Sequence, residues 1–338
     1  MIILRYLLFP FSVIYGVITS IRNFLFDSGI LKSYAFDIPV IAVGNLSVGG
    51  TGKTPQIEYL IRLLSPNYKI ATLSRGYKRK SKGFILADET STAEILGDEP
   101  FQMHQKFPNI EVAVDANRKN GIEQLLSLHE KPNVILLDDA FQHRKVKAGF
   151  YILLSAYDDL FCNDFMLPTG NLRESRSGAK RANVIIITKC PKDLSELAQE
   201  KIKKKIGLNC SIFFSYIDYD LEVYNEFESK KVSEIKNSDK ILLAGIAKPQ
   251  SFFSYLDNSN DQKLEFPDHH HFTENDIQTI KNKANNKLII TTEKDYVRLK
   301  KQHWNNLYYL PIKSSFISDS DNFNQTILKY VGKSSRNS

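Results

Sequence analysis

The stretch Pro39 to Thr54, PVIAVGNLSVGGTGKT, constrains the fold more than any other part of the chain. An apolar run enters a glycine-rich turn that closes on Gly52, Lys53 and Thr54. A turn of this kind aims successive backbone N–H groups at phosphate oxygens, while a lysine at its end adds charge at the β and γ positions and a threonine hydroxyl reaches a bound Mg²⁺. The residues expected to line a nucleotide are Ser47, Val48, Gly49, Gly50, Thr51, Gly52, Lys53 and Thr54. Pro55 falls in the first turn of the following helix, where its missing N–H costs nothing. The glycine that usually opens such a loop is replaced by Ser47, so the match is a variant one.

A phosphate loop needs a carboxylate on a neighbouring strand to hold the metal. Asn133 to Asp139, NVILLDD, supplies four apolar strand residues and then Asp138 and Asp139 at the strand's carboxyl end, where α/β sheets bind ligands. Further apolar runs at Lys69–Leu73, Glu111–Val114, Phe150–Leu154 and Val184–Thr188 alternate with helical stretches. They are continuous rather than alternating, as expected of strands covered on both faces of a parallel sheet. The expected fold is therefore α/β: a mostly parallel, phosphate-loop sheet with helices on both faces. Guanine-specific sites of this layout carry an aspartate three residues after the Asn or Thr that opens the motif; Thr188-Lys189-Cys190-Pro191 lacks it, which favours adenine.

The expected partition has an N-terminal apolar helix over 1–30, a nucleotide domain over 31–210, a connector over 211–224, a smaller α/β domain over 225–332 that closes on the site, and a polar tail over 333–338. Tyr6 to Ile21 runs sixteen residues without a charge between Arg5 and Arg22. As a helix that is roughly 24 Å, short of the roughly 30 Å hydrocarbon core, so a helix dipping into the membrane interface fits better than a span. A buried core helix and a secretory signal are the other readings, although no small-x-small cleavage site follows.

Composition narrows the partners. With 45 Lys plus Arg against 38 Asp plus Glu, the net charge of +7 favours an anionic partner without identifying it. No helix-turn-helix, RNP or OB-like pattern accompanies the lysines, which argues against nucleic acid, and no obligate protein partner is inferred. Cys162, Cys190 and Cys210 are too few and too scattered for a disulfide framework or a zinc site.

Gly97-Asp98-Glu99-Pro100 places two adjacent carboxylates before a helix; they read either as a base and a metal contact or as an acidic helix cap. Pro267 to Phe272, PDHHHF, holds three consecutive histidines that cannot all face one site. Two basic runs, Ser74–Gly83 with Arg75 and Asn171–Ala182 with Arg173, are candidate phosphate clamps.

Taken together, GNLSVGGTGKTP (Gly44–Pro55), SRGYKRK (Ser74–Lys80), GDEP (Gly97–Pro100), DANR (Asp115–Arg118), DDAFQHR (Asp138–Arg144), LPTGNLRES (Leu167–Ser175), AGIAKPQSF (Ala244–Phe252), PDHHHF and TTEKD (Thr291–Asp295) resemble the tetraacyldisaccharide 4'-kinases, the lipid A 4'-kinases, over nearly the whole chain. The resemblance implies ATP- and Mg²⁺-dependent phosphorylation of a lipid A disaccharide 1-phosphate at the cytoplasmic face of a bacterial inner membrane. It implies Asp98 as general base assisted by His269, with Lys53 on the phosphates. Thr54, Glu99 and Asp138 are implied as the metal shell with Asp139 close by, and Arg75, Arg118, Asn171, Arg173 and Glu174 as substrate contacts. The rival reading is a membrane-associated phosphate-loop ATPase of the partition or metal-insertion type. Against it, such loops carry an early lysine where this chain has Ser47-Val48, and they lack GDEP and LPTGNLRE.

Overall fold

A computed structural model describes residues 5, 7–268, 270–300 and 304–334. Two sheets are built in chain order from β1 (Val40–Asn45), β2 (Ile70–Ser74), β3 (Ile85–Leu86), β4 (Glu111–Val114), β5 (Val134–Asp138), β6 (Phe150–Ala156), β7 (Val184–Thr188), β8 (Ser211–Tyr219), β9 (Glu222–Tyr224), β10 (Ser229–Lys231), β11 (Lys240–Ala244), β12 (Gln262–Glu265), β13 (Leu288–Thr292), β14 (Leu307–Leu310) and β15 (Ile312–Phe316). The larger sheet has the order β15-β8-β7-β6-β1-β5-β2-β4-β3. Its strands from β8 to β4 are all parallel, and β15 and β3 close the two edges antiparallel. The apolar runs are buried on both faces, as a parallel sheet covered by helices requires. Ile41, Val43, Leu136 and Ile152 pack with the helix Lys53–Leu64 on one side, while Val40, Ala42, Ile135 and Leu137 pack with Ile122 and Leu125 on the other.

The smaller sheet has the order β10-β9-β14-β13-β11-β12, with β14, β13, β11 and β12 parallel and β9 antiparallel to β14. Its core is formed by Leu242, Ile290 and Tyr308 with Phe252 and Phe253, and on the other face by Ile241, Leu243 and Ile289 with Ile280.

One boundary differs from the expectation, and one apolar run is split between the two sheets. Ser211–Tyr219 is not a free connector: β8 pairs with β7 along Ser211–Phe214 and with β15 along Ser215–Tyr219, because its apolar residues Phe213 and Phe214 face opposite sides of the large sheet. The apolar stretch Leu307–Ile312 also divides. Pro311, which has no N–H to give a ladder, separates β14 in the small sheet from β15, which returns to the large one. The helix Ser320–Ser334 follows β15 back and seats Phe323, Ile327 and Val331, one apolar stripe at helical spacing, in the core of the large sheet.

The N-terminal helix runs Phe9–Asp27, 19 residues or about 28 Å, longer than the charge-free stretch predicts. Arg22 does not end it because its guanidinium donates to the carbonyl of Gln142. The helix is amphipathic with its polar face inward: Ser12 and Thr19 are its buried residues, whereas Phe11, Val13, Ile14, Val17, Ile18, Ile21 and Phe24 are exposed. The buried-core-helix reading is thereby excluded.

Candidate active site

β1 ends at the phosphate loop, and the loop sits at the carboxyl edge of the sheet between β5 and β6. Gly52 adopts the left-handed conformation, φ +81°, at the entry to the helix Lys53–Leu64, a geometry open to glycine at little cost. From β7, the Thr188 hydroxyl donates to the Thr51 carbonyl at 2.7 Å and fixes the turn. The Lys53 ammonium lies 3.4 Å from Asn45 Oδ1 and 3.6 Å from Asp139 Oδ1.

The segment Leu167–Ser175 is stitched onto the same loop. Val48 N–H donates to the Asn171 carbonyl, and Arg173 N–H donates to the Leu46 carbonyl, both at 2.8 Å. This lays Arg173 across the site, where Nη1 and Nη2 hold both oxygens of Asp139 at 3.0 and 2.8 Å. Burial works to raise the Asp139 pKa, but the Arg173 hydrogen bonds and the charges of Lys53, Arg173 and Arg118 bring it down to about 2.

Asp138 has the opposite environment. It is buried at the end of β5, and one carboxylate oxygen, Oδ1, has no hydrogen-bond partner. Burial first, and then the nearby charges of Glu99 and Asp139, push its pKa up to about 7 against the pull of Lys53 and Arg118. A buried carboxylate with an orphaned oxygen, a second carboxylate within electrostatic reach and a threonine at the helix start suit a hard divalent cation. Among the described residues no group of three or more His, Cys, Asp or Glu side chains is preassembled for a metal.

A stability prediction follows for the metal-free protein. A carboxyl raised from about 4 to about 7 holds its proton in the folded state between those two values, so stability is full below the unfolded pKa, is lost as pH rises toward the folded one and levels off above it. The Tm in chelator is therefore expected to fall between about pH 4 and pH 7, and to fall less in Asp138→Asn; equal falls would show that burial of Asp138 does not govern it.

Asp98 and Glu99 open the helix Asp98–Lys106 after Gly97, whose φ of +92° would strain any other residue and where a Cβ would stand only 3.1 Å from the Tyr77 carbonyl oxygen. Both acids meet cations from the helix Glu293–Leu299 of the small-sheet unit. Arg298 holds Asp98 Oδ2, with Nε at 3.1 Å and Nη2 at 2.5 Å, and Lys294 lies 3.5 Å from Glu99 Oε1.

The family model for tetraacyldisaccharide-1-P 4'-kinases matches residues 4–332. The chain belongs to this family. A Flavobacterium johnsoniae protein named tetraacyldisaccharide 4'-kinase is 69% identical over 332 residues, covering 97% of this chain and 98% of that one. A Bacteroides thetaiotaomicron protein of the same name is 47% identical, covering 98% and 94%. The crystal structure of LpxK from Aquifex aeolicus in complex with ATP superposes with a TM-score of 0.79 at 32% identity, covering 97% of this chain and 99% of that chain.

Within this member of the tetraacyldisaccharide-1-P 4'-kinase family, the loop residues 47–54, Asp98, Glu99, Asp138, Asp139, Asn171 and Arg173 gather at one sheet edge. Arg118 and Glu174, the other two expected contacts, are buried against protein partners. Arg118 is 1% exposed and donates to the carbonyls of Asp115, at 2.5 Å, and Asp138, at 3.1 Å, so it orders the end of β5. Glu174 is 2% exposed, pairs with Arg181 at 2.8 Å and accepts from Gln142 and Asn23. Arg75 is exposed and close enough for its charge to act on Arg118. His269 lies outside the described residues. His270 pairs with Asp276 at 3.0 Å and stacks on Phe266, while His271 is exposed.

Three residues without a predicted role belong to the site's framework. Asn45 accepts from Lys53 and Arg173, and Gln142 bridges the Asn45 carbonyl to Glu174. Lys189, after β7, has its ammonium 3.8 Å from where a Cβ on Gly50 would stand. Asn45 and Gln142 lie inside quoted motifs, whose repetition of polar residues near the loop was the available signal.

Proposed function

We propose that this protein transfers the γ-phosphate of ATP to the 4'-hydroxyl of a tetraacyldisaccharide 1-phosphate in lipid A synthesis. The observation that carries the reading is the convergence, in a chain of this family, of the phosphate loop, the β5 aspartates and the Asp98–Glu99 pair on one sheet edge. In this reading the backbone N–H groups of residues 49–54 and Lys53 receive the phosphates. Glu99, Asp138 and Thr54 would hold Mg²⁺, with Asp139 close by, and the ion supplies positive charge to the phosphate oxygens. Asp98 accepts the proton of the sugar hydroxyl, a poor nucleophile unless a base is positioned beside it. Arg173 and Asn171, held against the loop by the Leu167–Ser175 segment, and the exposed Arg75 face the acceptor.

The decisive assay is purified protein with labelled ATP, Mg²⁺ and a tetraacyldisaccharide 1-phosphate, scored for label in the lipid. ATP hydrolysis without labelled lipid would overturn the kinase reading in favour of an ATPase.

The helix Phe9–Asp27 serves in this reading as a monotopic anchor at the cytoplasmic face of the inner membrane. Its polar contacts with the body run from Ser12 to Asp27, about 22 Å of helix, so the protein flanks it along most of its length and it lies in the interface rather than crossing. Replacing Ile14, Ile18 and Ile21 together by serine removes exposed apolar surface without touching that seam. Binding to anionic phospholipid vesicles is expected to weaken on the order of 100-fold or more, since a buried aliphatic side chain contributes about 1.5–3 kcal/mol. Unchanged co-flotation would assign membrane attachment elsewhere.

A further inference from the structure

The helix Glu293–Leu299 comes from the small-sheet unit, yet its arginine ends on the carboxylate proposed as the base, 200 positions away in sequence. The approach is braced from behind. Asp295 is fully buried; its Oδ2 accepts from the Gly245 N–H at 2.8 Å and the Thr292 hydroxyl at 2.7 Å, and its Oδ1 lies 3.3 Å from Arg298 Nη1. Gly245 directly follows β11 and Thr292 ends β13, so Asp295 is tied to the rigid centre of the small sheet. One guanidinium, with its side chain 9% exposed, is therefore shared between a structural carboxylate and a chemical one.

We propose that Arg298 is a positioning residue for the phosphoryl transfer: it fixes the orientation of Asp98 toward the acceptor hydroxyl. The inference rests on Asp98 being the base. Two N–H groups from one planar fork on a single carboxylate oxygen fix the position of that oxygen and the direction from which it is held, which a point charge does not. Docking of the two units alone does not require this contact. Lys106, which pairs with Glu58 at 2.8 Å and Glu293 at 2.6 Å, already ties the same helix to the phosphate-loop helix. In phosphoryl transfer the protein acts chiefly by placement, and a displacement of about 1 Å can cost on the order of 100-fold in rate.

The experiment is a double-mutant cycle with the full chain, labelled ATP and the tetraacyldisaccharide 1-phosphate, comparing Arg298→Met, Arg298→Lys, Asp98→Asn and Arg298→Met with Asp98→Asn. Arg298→Met is expected to lower kcat about 10- to 100-fold with KM for ATP within about 2-fold. Arg298→Lys, which keeps the charge but loses the fork, should fall between it and the parent. In the Asp98→Asn background the methionine should cost less than about 2-fold further, because residues acting as one unit are non-additive. A crippled Asp98→Asn combined with an unaffected Arg298→Met, or with losses that multiply, overturns the role of Arg298 alone. An Asp98→Asn protein with parental turnover overturns the base assignment, and the inference with it. Should Arg298→Met not fold, a folded Arg298→Lys with parental kcat is the overturning result and an intermediate kcat the supporting one.

Discussion

Lys53→Ala is expected to lower kcat for lipid phosphorylation by about 100- to 1,000-fold, the range found when one preorganised electrostatic contact to developing charge is removed. Lys53 is the cation that reaches from the phosphate-loop helix into the space before the loop. Its partners are Asn45 and Asp139. Asp139 is also gripped by both terminal nitrogens of Arg173, so its charge stays compensated when Lys53 turns to the phosphates. The fold of the alanine variant should therefore persist, with a Tm within a few degrees of the parent. Single-turnover rates with saturating ATP separate the possibilities. A rate restored by high ATP would make Lys53 a binding residue only, whereas a deficit that persists at saturation places its effect in the transfer step.

Asp98→Asn should lower kcat by about 100- to 10,000-fold while changing ATP affinity little, as expected for loss of a general base. The substitution keeps the size of the side chain and one oxygen for Arg298, so a loss of rate cannot be attributed to a collapsed helix start. Asp98 stands in the first turn of its helix, directly after Gly97, where an acidic cap is its other reading. Loss of ATP binding together with a normal residual rate would restore that reading.

The parts of this fold that were legible in the sequence are those whose chemistry is local. A phosphate loop is encoded within sixteen consecutive residues, and the β5 aspartates follow directly on four apolar strand positions. The parallel sheet was legible because strands covered on both faces must be apolar throughout. What the sequence withheld is burial and distant pairing. Arg118 and Glu174 sit in motifs beside the site, and only the structure shows that both are buried, one donating to two backbone carbonyls and the other meeting Arg181, Gln142 and Asn23. Arg298 was invisible for the converse reason: its partner lies 200 residues away, and no local pattern connects them. The division at Pro311 was readable in principle, since a proline inside an apolar run argues against one continuous strand.

The N-terminal helix is keyed to the rest of the protein by the identity of a few polar side chains. Ser12 exchanges hydrogen bonds with the hydroxyl and the N–H of Thr169, Tyr15 donates to the Arg173 carbonyl, and Asn23 donates to Glu174. If the helix is the anchor proposed above, it is not an interchangeable cassette. A chimera carrying a generic apolar helix in its place would still find the bilayer, but would leave Thr169 and Glu174 facing hydrocarbon. A water-soluble version of the enzyme is better sought by recolouring the outward face of the native helix than by cutting the helix away.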